Sequence, residues 1–328
     1  MQGITRHWQR LTPLHLLFYP LSLLFGALAA LRRILYRTGA LRSERLPVPV
    51  VIIGNISVGG SGKTPLTLWL AQQLIEQGRH PAIVSRGYGG SNQAPREVRA
   101  DDLPAEVGDE PLLMAQRSLC PVWIGRDRAA TGRALLAAHP GCDVILCDDG
   151  LQHYRLQREV EIAVVDGVRR FGNGLLLPAG PLREPVSRLR RVDAIVCNGG
   201  AAPPGEFPMQ LAGARFVNLL NPSLSRTATE FSGERLHALA GIGHPERFFR
   251  HLESLGLAFT RHPYPDHHPY TAADLDLPEA DALLMTEKDA VKCAAFATER
   301  CWVLRVEAQV DASLIERILD KINGRQAA

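Results

Sequence analysis

The chain has 328 residues, 46% of them hydrophobic and 22% charged, enough for two globular domains with their own cores. A net charge of only +3 speaks against a nucleic-acid partner. Six scattered cysteines without CxxC pairs (Cys120, Cys142, Cys147, Cys197, Cys293, Cys301) read as reduced core thiols in a cytosolic compartment, not as a disulfide or zinc framework.

Before Leu46 stand seven arginines (Arg6, Arg10, Arg32, Arg33, Arg37, Arg42, Arg45) against one acid, Glu44. Among them, residues 14–31 are apolar apart from His15 and Ser22, with Pro20 inside. The length is near that of a membrane span. The stretch makes a poor signal peptide, because its basic region is long and 27–30 run straight into Arg32-Arg33. Arginines on both flanks disfavour a simple positive-inside span. A helix lying in the membrane interface, with arginines on anionic headgroups, fits best. A single anchor helix and a helix packed on the domain are the alternatives.

A β-branched run at 48–53 stops at Gly54 and opens into Asn55-Ile56-Ser57-Val58-Gly59-Gly60-Ser61-Gly62-Lys63-Thr64-Pro65, followed by a helical pattern at 66–77. Strand, glycine-rich loop and helix make the setting of a phosphate-binding P-loop. Backbone N–H groups of such a loop turn toward phosphate oxygens, and the helix start adds partial positive charge. Lys63 then reaches the outer phosphates and Thr64 holds Mg²⁺. Ser57 stands where the usual spacing has glycine. A turn that binds nothing is disfavoured by the strand before it and the helix after it.

A second strand at 80–85 ends in Arg86-Gly87-Tyr88-Gly89-Gly90, where open α/β sheets place ligands; a solvated surface arginine is an equal reading. Asp109 is placed to cap a helix at 112–117, with Pro111 in its first turn, and an acid there can also serve as a general base. A strand at 121–124 leads to Arg126-Asp127-Arg128 and a helix at 129–138. The strand beginning at Cys142 ends in Asp148-Asp149, the Walker B pattern of a Mg²⁺-organising carboxylate. Two adjacent carboxylates are costly to hold without a cation.

After a strand at 161–166, residues 171–185 are rich in Gly and Pro and too long for a mere connection; Arg183 and Glu184 are their chemical groups. A strand at 192–198 and a breaker-rich stretch to 207 close this domain. Short extended segments at 216–220 and 227–231 suggest a hinge. From 236 the α/β pattern restarts as a smaller parallel-sheet domain. It carries Asp266-His267-His268, which lacks further ligands for zinc, and Thr286-Glu287-Lys288-Asp289, which differs from the guanine-reading motif of GTPases by a displaced lysine and reads as a helix-starting loop near the nucleotide base.

Taken together these runs, with Gly108-Asp109-Glu110-Pro111, Asp148-Asp149-Gly150-Leu151-Gln152-His153 and residues 241–249, resemble the tetraacyldisaccharide 4′-kinase family, the lipid A kinases (LpxK) of Gram-negative bacteria. The resemblance spans most of the chain. It implies transfer of the ATP γ-phosphate to the 4′-hydroxyl of an acylated glucosamine disaccharide 1-phosphate lipid, giving lipid IVA. It implies a P-loop NTPase-type α/β domain (41–215), a two-stranded linker (216–235), a smaller α/β/α domain (236–328) and an N-terminal membrane-associated helix (1–40). Asp109 takes the role of base, assisted by His267, with His268 as the alternative. Ser57 through Thr64, with Glu287 and Lys288, are placed at ATP, and Thr64, Asp148 and Asp149 at Mg²⁺. Arg86, Tyr88, Glu110, Arg128, Arg183 and Glu184 are placed at the acceptor. The expected enzyme is a monomer on the cytoplasmic face of the inner membrane, peripheral or singly anchored. A P-loop ATPase or GTPase switch acting on a protein or metallocentre partner, and a nucleotide-binding membrane scaffold without turnover, are the competing readings; a switch needs neither a membrane segment nor an acyl substrate, so the N-terminal stretch discriminates against it.

Overall fold

A computed structural model of the chain describes Trp8 and residues 13–326. Arg6 and Arg10 lie outside the described residues, as does most of the chain before Pro13. The first helix, Leu14–Arg37, continues past the apolar stretch through Arg32 and Arg33 and accommodates Pro20. Arginine and leucine are strong helix formers, which explains the extension.

Eight strands follow: β1 (Val50–Gly54), β2 (Pro81–Ser85), β3 (Arg96–Glu97), β4 (Val122–Ile124), β5 (Val144–Asp148), β6 (Val160–Asp166), β7 (Ala194–Asn198) and β8 (Phe207–Ala212). The remainder are β9 (Arg215–Asn218), β10 (Ser225–Thr227), β11 (Leu236–Ala240), β12 (Phe259–Pro263), β13 (Ala282–Thr286), β14 (Cys301–Leu304) and β15 (Glu307–Val310). Among the described residues the larger sheet has nine strands in the order β15-β8-β7-β6-β1-β5-β2-β4-β3. The strands from β8 to β4 run parallel, while β15 and β3 are antiparallel edges.

β1 is buried along its whole length, as a strand covered on both faces must be. Val51 and Ile53 join Leu66, Leu70 and Leu74 of the helix Lys63–Glu76 in one core. Val50 and Ile52 point the other way, onto Leu135, Ile145 and Leu182. β1 sits between β5 and β6, where connections leave to opposite sides of the sheet. Such a switch point leaves a crevice at the carboxyl ends of the strands.

The smaller sheet has the order β10-β9-β14-β13-β11-β12, with β14, β13, β11 and β12 parallel. Phe216, Phe231, Phe249 and Trp302 fill one of its cores, and Leu239, Leu283 and Met285 the other.

The sequence pattern puts the link at 216–235 and gives everything after it to the second lobe. The structure differs on both counts. β9 and β10 belong to the smaller sheet, with β10 at its edge. The link is an antiparallel ribbon in which β8 runs on into β9 while β14 runs on into β15. Between the sheets its pairing continues through Arg305 N donating to Arg215 O (3.2 Å). The chain then stays on the first lobe: the closing helix Ser313–Gln326 buries Leu314, Ile315, Ile318 and Ile322 in the core of β1. β8 and β15 escape sequence reading because they lie at or next to the sheet edge with few buried residues, and β8 carries Pro208.

Candidate active site between the lobes

The helix after β1 starts at Lys63, a turn earlier than its apolar pattern indicates. Gly62 caps it at φ +92°, a left-handed conformation that other residues adopt only with strain. Asn198, at the end of β7, donates to Ser61 O (2.9 Å). Asn55 reaches across the loop from Nδ2 to Gly59 O (3.3 Å) and Ser61 Oγ (3.2 Å). The Gly- and Pro-rich segment 171–185 lies along the same loop. Leu182 bridges Ser57, Val58 N donates to Pro181 O (2.9 Å), and Arg183 N donates to Ile56 O (2.7 Å). Thus the phosphate loop is held from three sides, with Lys63 and Thr64 at the helix start.

β5 delivers two acids beside it. Asp148 is buried and accepts from Thr67 Oγ1 at 3.4 Å. Burial pushes its carboxyl up to about 7, Glu110 and Asp149 add to the rise, and Lys63 opposes it. Burial would also raise Asp149, but Lys63 (3.5 Å) and Arg183 (3.4 Å) hold it below its ordinary value. This oxygen-donor pair, with Thr64 next in the chain to the Lys63 that faces Asp149, suits a hard divalent cation, which would relieve the cost of keeping two acids side by side. Arg128 is buried behind them. It donates to Asp148 O (3.1 Å), Gly125 O (3.4 Å) and Asp149 O (3.5 Å), so its guanidinium braces the strand end and does not face the crevice.

Asp109 does not cap the next helix. That helix, Asp109–Arg117, begins at Asp109 itself after Gly108 at φ +90°. Its carboxylate is only 5% exposed and receives His267 Nδ1–H at 3.0 Å from the second lobe. Burial would raise Asp109, yet the His267 hydrogen bond and the Lys288 charge outweigh it and hold the acid ionised. The same hydrogen bond raises His267 above the usual imidazole value, against burial and Lys288. His268 points elsewhere: it stacks on Tyr264 (4.5 Å) and faces Asp274 (3.5 Å).

Lys288 lies 3.0 Å from Glu110, 3.3 Å from Asp266 and 3.8 Å from Asp109. Burial alone would lower its ammonium pKa, but these three carboxylates raise it. Glu287 pairs with Arg117 and accepts from Val306 N (3.1 Å). Both residues, expected at the nucleotide, therefore tie the second lobe and the ribbon to the helix Asp109–Arg117. Tyr88 is 64% exposed with its ring 5.2 Å from His267. Arg86 is exposed at the end of β2, with no ion pair among the described residues. Glu184 is buried, accepting from Gln152 Nε2 (3.0 Å) and the Tyr154 hydroxyl, with Arg33 of the first helix 3.7 Å away.

The sequence reading misses the opposite flank of the phosphate loop. Arg169 donates to Gly60 O (3.0 Å) and shares Asp166 with Arg247 of the second lobe, at 2.8 and 2.7 Å. With His244, Arg250 and His251 they line a cavity of about 330 Å³ between the lobes. His244 Nε2 is buried with no partner among the described residues; burial and the neighbouring Arg169 push its imidazole down to about 4. A strand ending in acid at Asp166, and Gly243-His244-Pro245 after another strand, were the available signals.

A phosphate loop, two strand-end acids and a separate ionised carboxylate backed by a histidine can hold a triphosphate, a cation and a hydroxyl acceptor in one crevice. The family model described as tetraacyldisaccharide-1-P 4′-kinase, LpxK, matches residues 14–323. The chain is 50% identical over 319 residues to the tetraacyldisaccharide 4′-kinase of Methylobacillus flagellatus, covering 97% of this chain and 95% of that one. It is 53% identical over 336 residues to that of Dechloromonas aromatica, covering 99% and 98%. A crystal structure of the "apo" form of LpxK from Aquifex aeolicus in complex with ATP superimposes with a TM-score of 0.79 at 29% identity, over 94% of this chain and 99% of that chain. Matched in sequence and in fold over nearly its whole length, the chain belongs to the tetraacyldisaccharide-1-P 4′-kinase family.

Proposed function

We infer that the chain is a kinase, a phosphotransferase with an alcohol acceptor, that moves the ATP γ-phosphate to the 4′-hydroxyl of a tetraacylated glucosamine disaccharide 1-phosphate, giving lipid IVA in lipid A synthesis. The carrying observation is Asp109, ionised and gripped by His267 from the other lobe, near enough to the strand-end acids that Glu110 acts on Asp148. A switch ATPase needs no such acid, because it has no sugar hydroxyl to deprotonate.

In this reading the amides of Ser57 through Thr64 cradle the phosphates and Lys63 neutralises the transferring group. Thr64, Asp148 and Asp149 would hold Mg²⁺, which when bound offsets phosphate charge. Asp109 orients the 4′-hydroxyl and accepts its proton, a transfer that comes late in a loose phosphoryl transition state, so that a carboxylate of low pKa suffices. His267 aims Asp109, and Lys288 with Glu110 fixes the pair. Arg183, Arg86 and Tyr88 face the acceptor, while buried Glu184 supports the site through Gln152 and Tyr154, and Arg128 through the backbone of Asp148 and Asp149. The cavity at Asp166, Arg169 and His244 receives the nucleoside end of ATP. Closure of the lobes about the two-stranded ribbon brings these groups together.

The acceptor's four acyl chains stay in the bilayer, so the enzyme goes to them. Residues His15–Arg37 are long and apolar enough to cross a membrane, and Leu17 (70%) and Leu24 (57%) are among many exposed leucines on them. We place this helix in the interface of the cytoplasmic face of the inner membrane, where ATP is available, with the enzyme as a monomer. Replacing Leu17 and Leu24 together by glutamine is expected to weaken co-sedimentation with anionic vesicles by about tenfold or more; unchanged capture would refute the placement.

The function itself is tested with γ-labelled ATP and the acylated disaccharide 1-phosphate in detergent. Label in the lipid phase is the expected result. ATP turnover without labelled lipid would point to the ATPase reading instead.

A further inference from the structure

The first helix is not docked as an apolar anchor would be. His15, Ser22, Gly26 and Arg33 recur at spacings of 7, 4 and 7 residues. At about 100° per residue these four fall within about 20° of a single line along the helix. That line, and not an apolar face, is what the protein covers: His15 and Ser22 are buried at 6% and 3%, while leucines on other faces are exposed. Its partner is the segment 171–185. Asn173 Nδ2 donates to His15 Nε2 (3.0 Å), and Arg33 stands 3.7 Å from Glu184. At Gly26 any side chain would begin 2.7 Å from Leu176 Cδ1, so the Leu176 side chain packs directly on the bare helix backbone there.

Ser22 is the centre of this contact. Its hydroxyl donates to Leu176 O and accepts from Ala179 N, both at 2.9 Å. One side chain thereby closes the turn 176–179, and Gly180 N donates to the same Leu176 carbonyl (2.9 Å). The next three residues are the ones that hold the phosphate loop: Pro181 O takes Val58 N, Leu182 bridges Ser57, and Arg183 N reaches Ile56 O. Arg183 in turn contacts Asp149.

We propose that Ser22 is a positioning residue for phosphoryl transfer: through the turn 176–179 it sets the phosphate loop and Arg183, so the membrane-lying helix is a structural part of the catalytic lobe as well as its means of reaching lipid. This rests on the kinase reading above. Alanine at position 22 leaves the buried Ala179 N without its acceptor and Leu176 O with Gly180 N alone, and the turn relaxes. Small misplacement of reacting groups is enough to slow transfer substantially.

The test is steady-state kinetics of the full chain with detergent-dispersed acceptor and ATP, where membrane binding plays no part. Ser22→Ala is expected to lower kcat about tenfold with little change in KM for the acceptor, and Ser22→Thr, which keeps the hydroxyl, to restore most of it. Amide exchange is expected to quicken at Ala179 and at Val58 in Ser22→Ala, with strands β5 and β6 unaffected. A kcat within twofold of wild type overturns the proposal. So does a raised acceptor KM at unchanged kcat, which would make the stripe a lipid-contact surface only. If the wild-type chain labels no lipid, the kinase reading fails; if it does and Ser22→Ala matches it, only this inference fails.

Discussion

Replacing Asp109 by asparagine is expected to lower phosphoryl transfer to the lipid by about 10²–10⁴-fold while ATP binding persists. The asymmetry follows from what Asp109 touches: His267, Lys288 and its neighbour's amide, all away from the phosphate loop. Asparagine keeps the shape but cannot accept a proton, and it removes the charge that sustains His267. The second readout is therefore the His267 titration, followed by imidazole NMR. In the wild type its pKa lies above the ordinary histidine value because of the Asp109 hydrogen bond. A raised folded-state pKa stabilises this contact fully below the ordinary value, and that contribution is lost as pH rises through the raised one. In Asp109→Asn the remaining burial and Lys288 both lower it, so His267 is expected to titrate below its wild-type value. Unaltered turnover would remove Asp109 from the base role; a lost transfer with an unmoved His267 would show that the pair is not coupled.

Lys63→Ala is expected to cost about 10²-fold or more in turnover and, unlike the change at Asp109, to weaken ATP binding as well. Lys63 is the cation next to Asp149 (3.5 Å) and opposes the upward shift of Asp148. Removing it leaves these two acids facing the phosphates with Arg183 and the loop amides only. Calorimetric ATP binding set beside turnover separates the two variants. A Lys63→Ala enzyme that binds ATP normally would show that the lysine does not reach the phosphates.

The reach of the sequence differs sharply between parts of the molecule. The β-branched run before Gly54 and the acid-ended strand at Asp148 were legible because a parallel sheet buries both faces of its inner strands and leaves ligand groups at their ends. Asp109 and His267 could be named from family likeness, but local pattern alone favoured a helix cap for Asp109. Only the packing of the helix Glu287–Cys293 against the helix Asp109–Arg117 brings residues 158 positions apart into contact. The motif at Glu287-Lys288 points to the nucleotide, whereas in the fold their partners Arg117 and Glu110, far away in sequence, make them lobe contacts. Nothing in the sequence around Arg128 signals its burial, which takes it away from the acceptor. The stripe of His15 and Ser22 was visible as two polar interruptions of an apolar run, but its meaning needed the partner segment.

The ribbon of β8–β9 and β14–β15 has a consequence for how the chain is made. Residues between its two crossings form an insertion: β9 to β14 are contiguous in the chain, make up the whole of the smaller sheet and are synthesised ahead of β15. The ATP-side lobe, begun first, is finished last. Its edge strand β8 has no neighbour on one side, and its core has no Leu314, Ile315, Ile318 or Ile322, until nearly the last codons are read. Premature termination after residue 306 would thus spare the distal lobe and cripple the one that carries the phosphate loop.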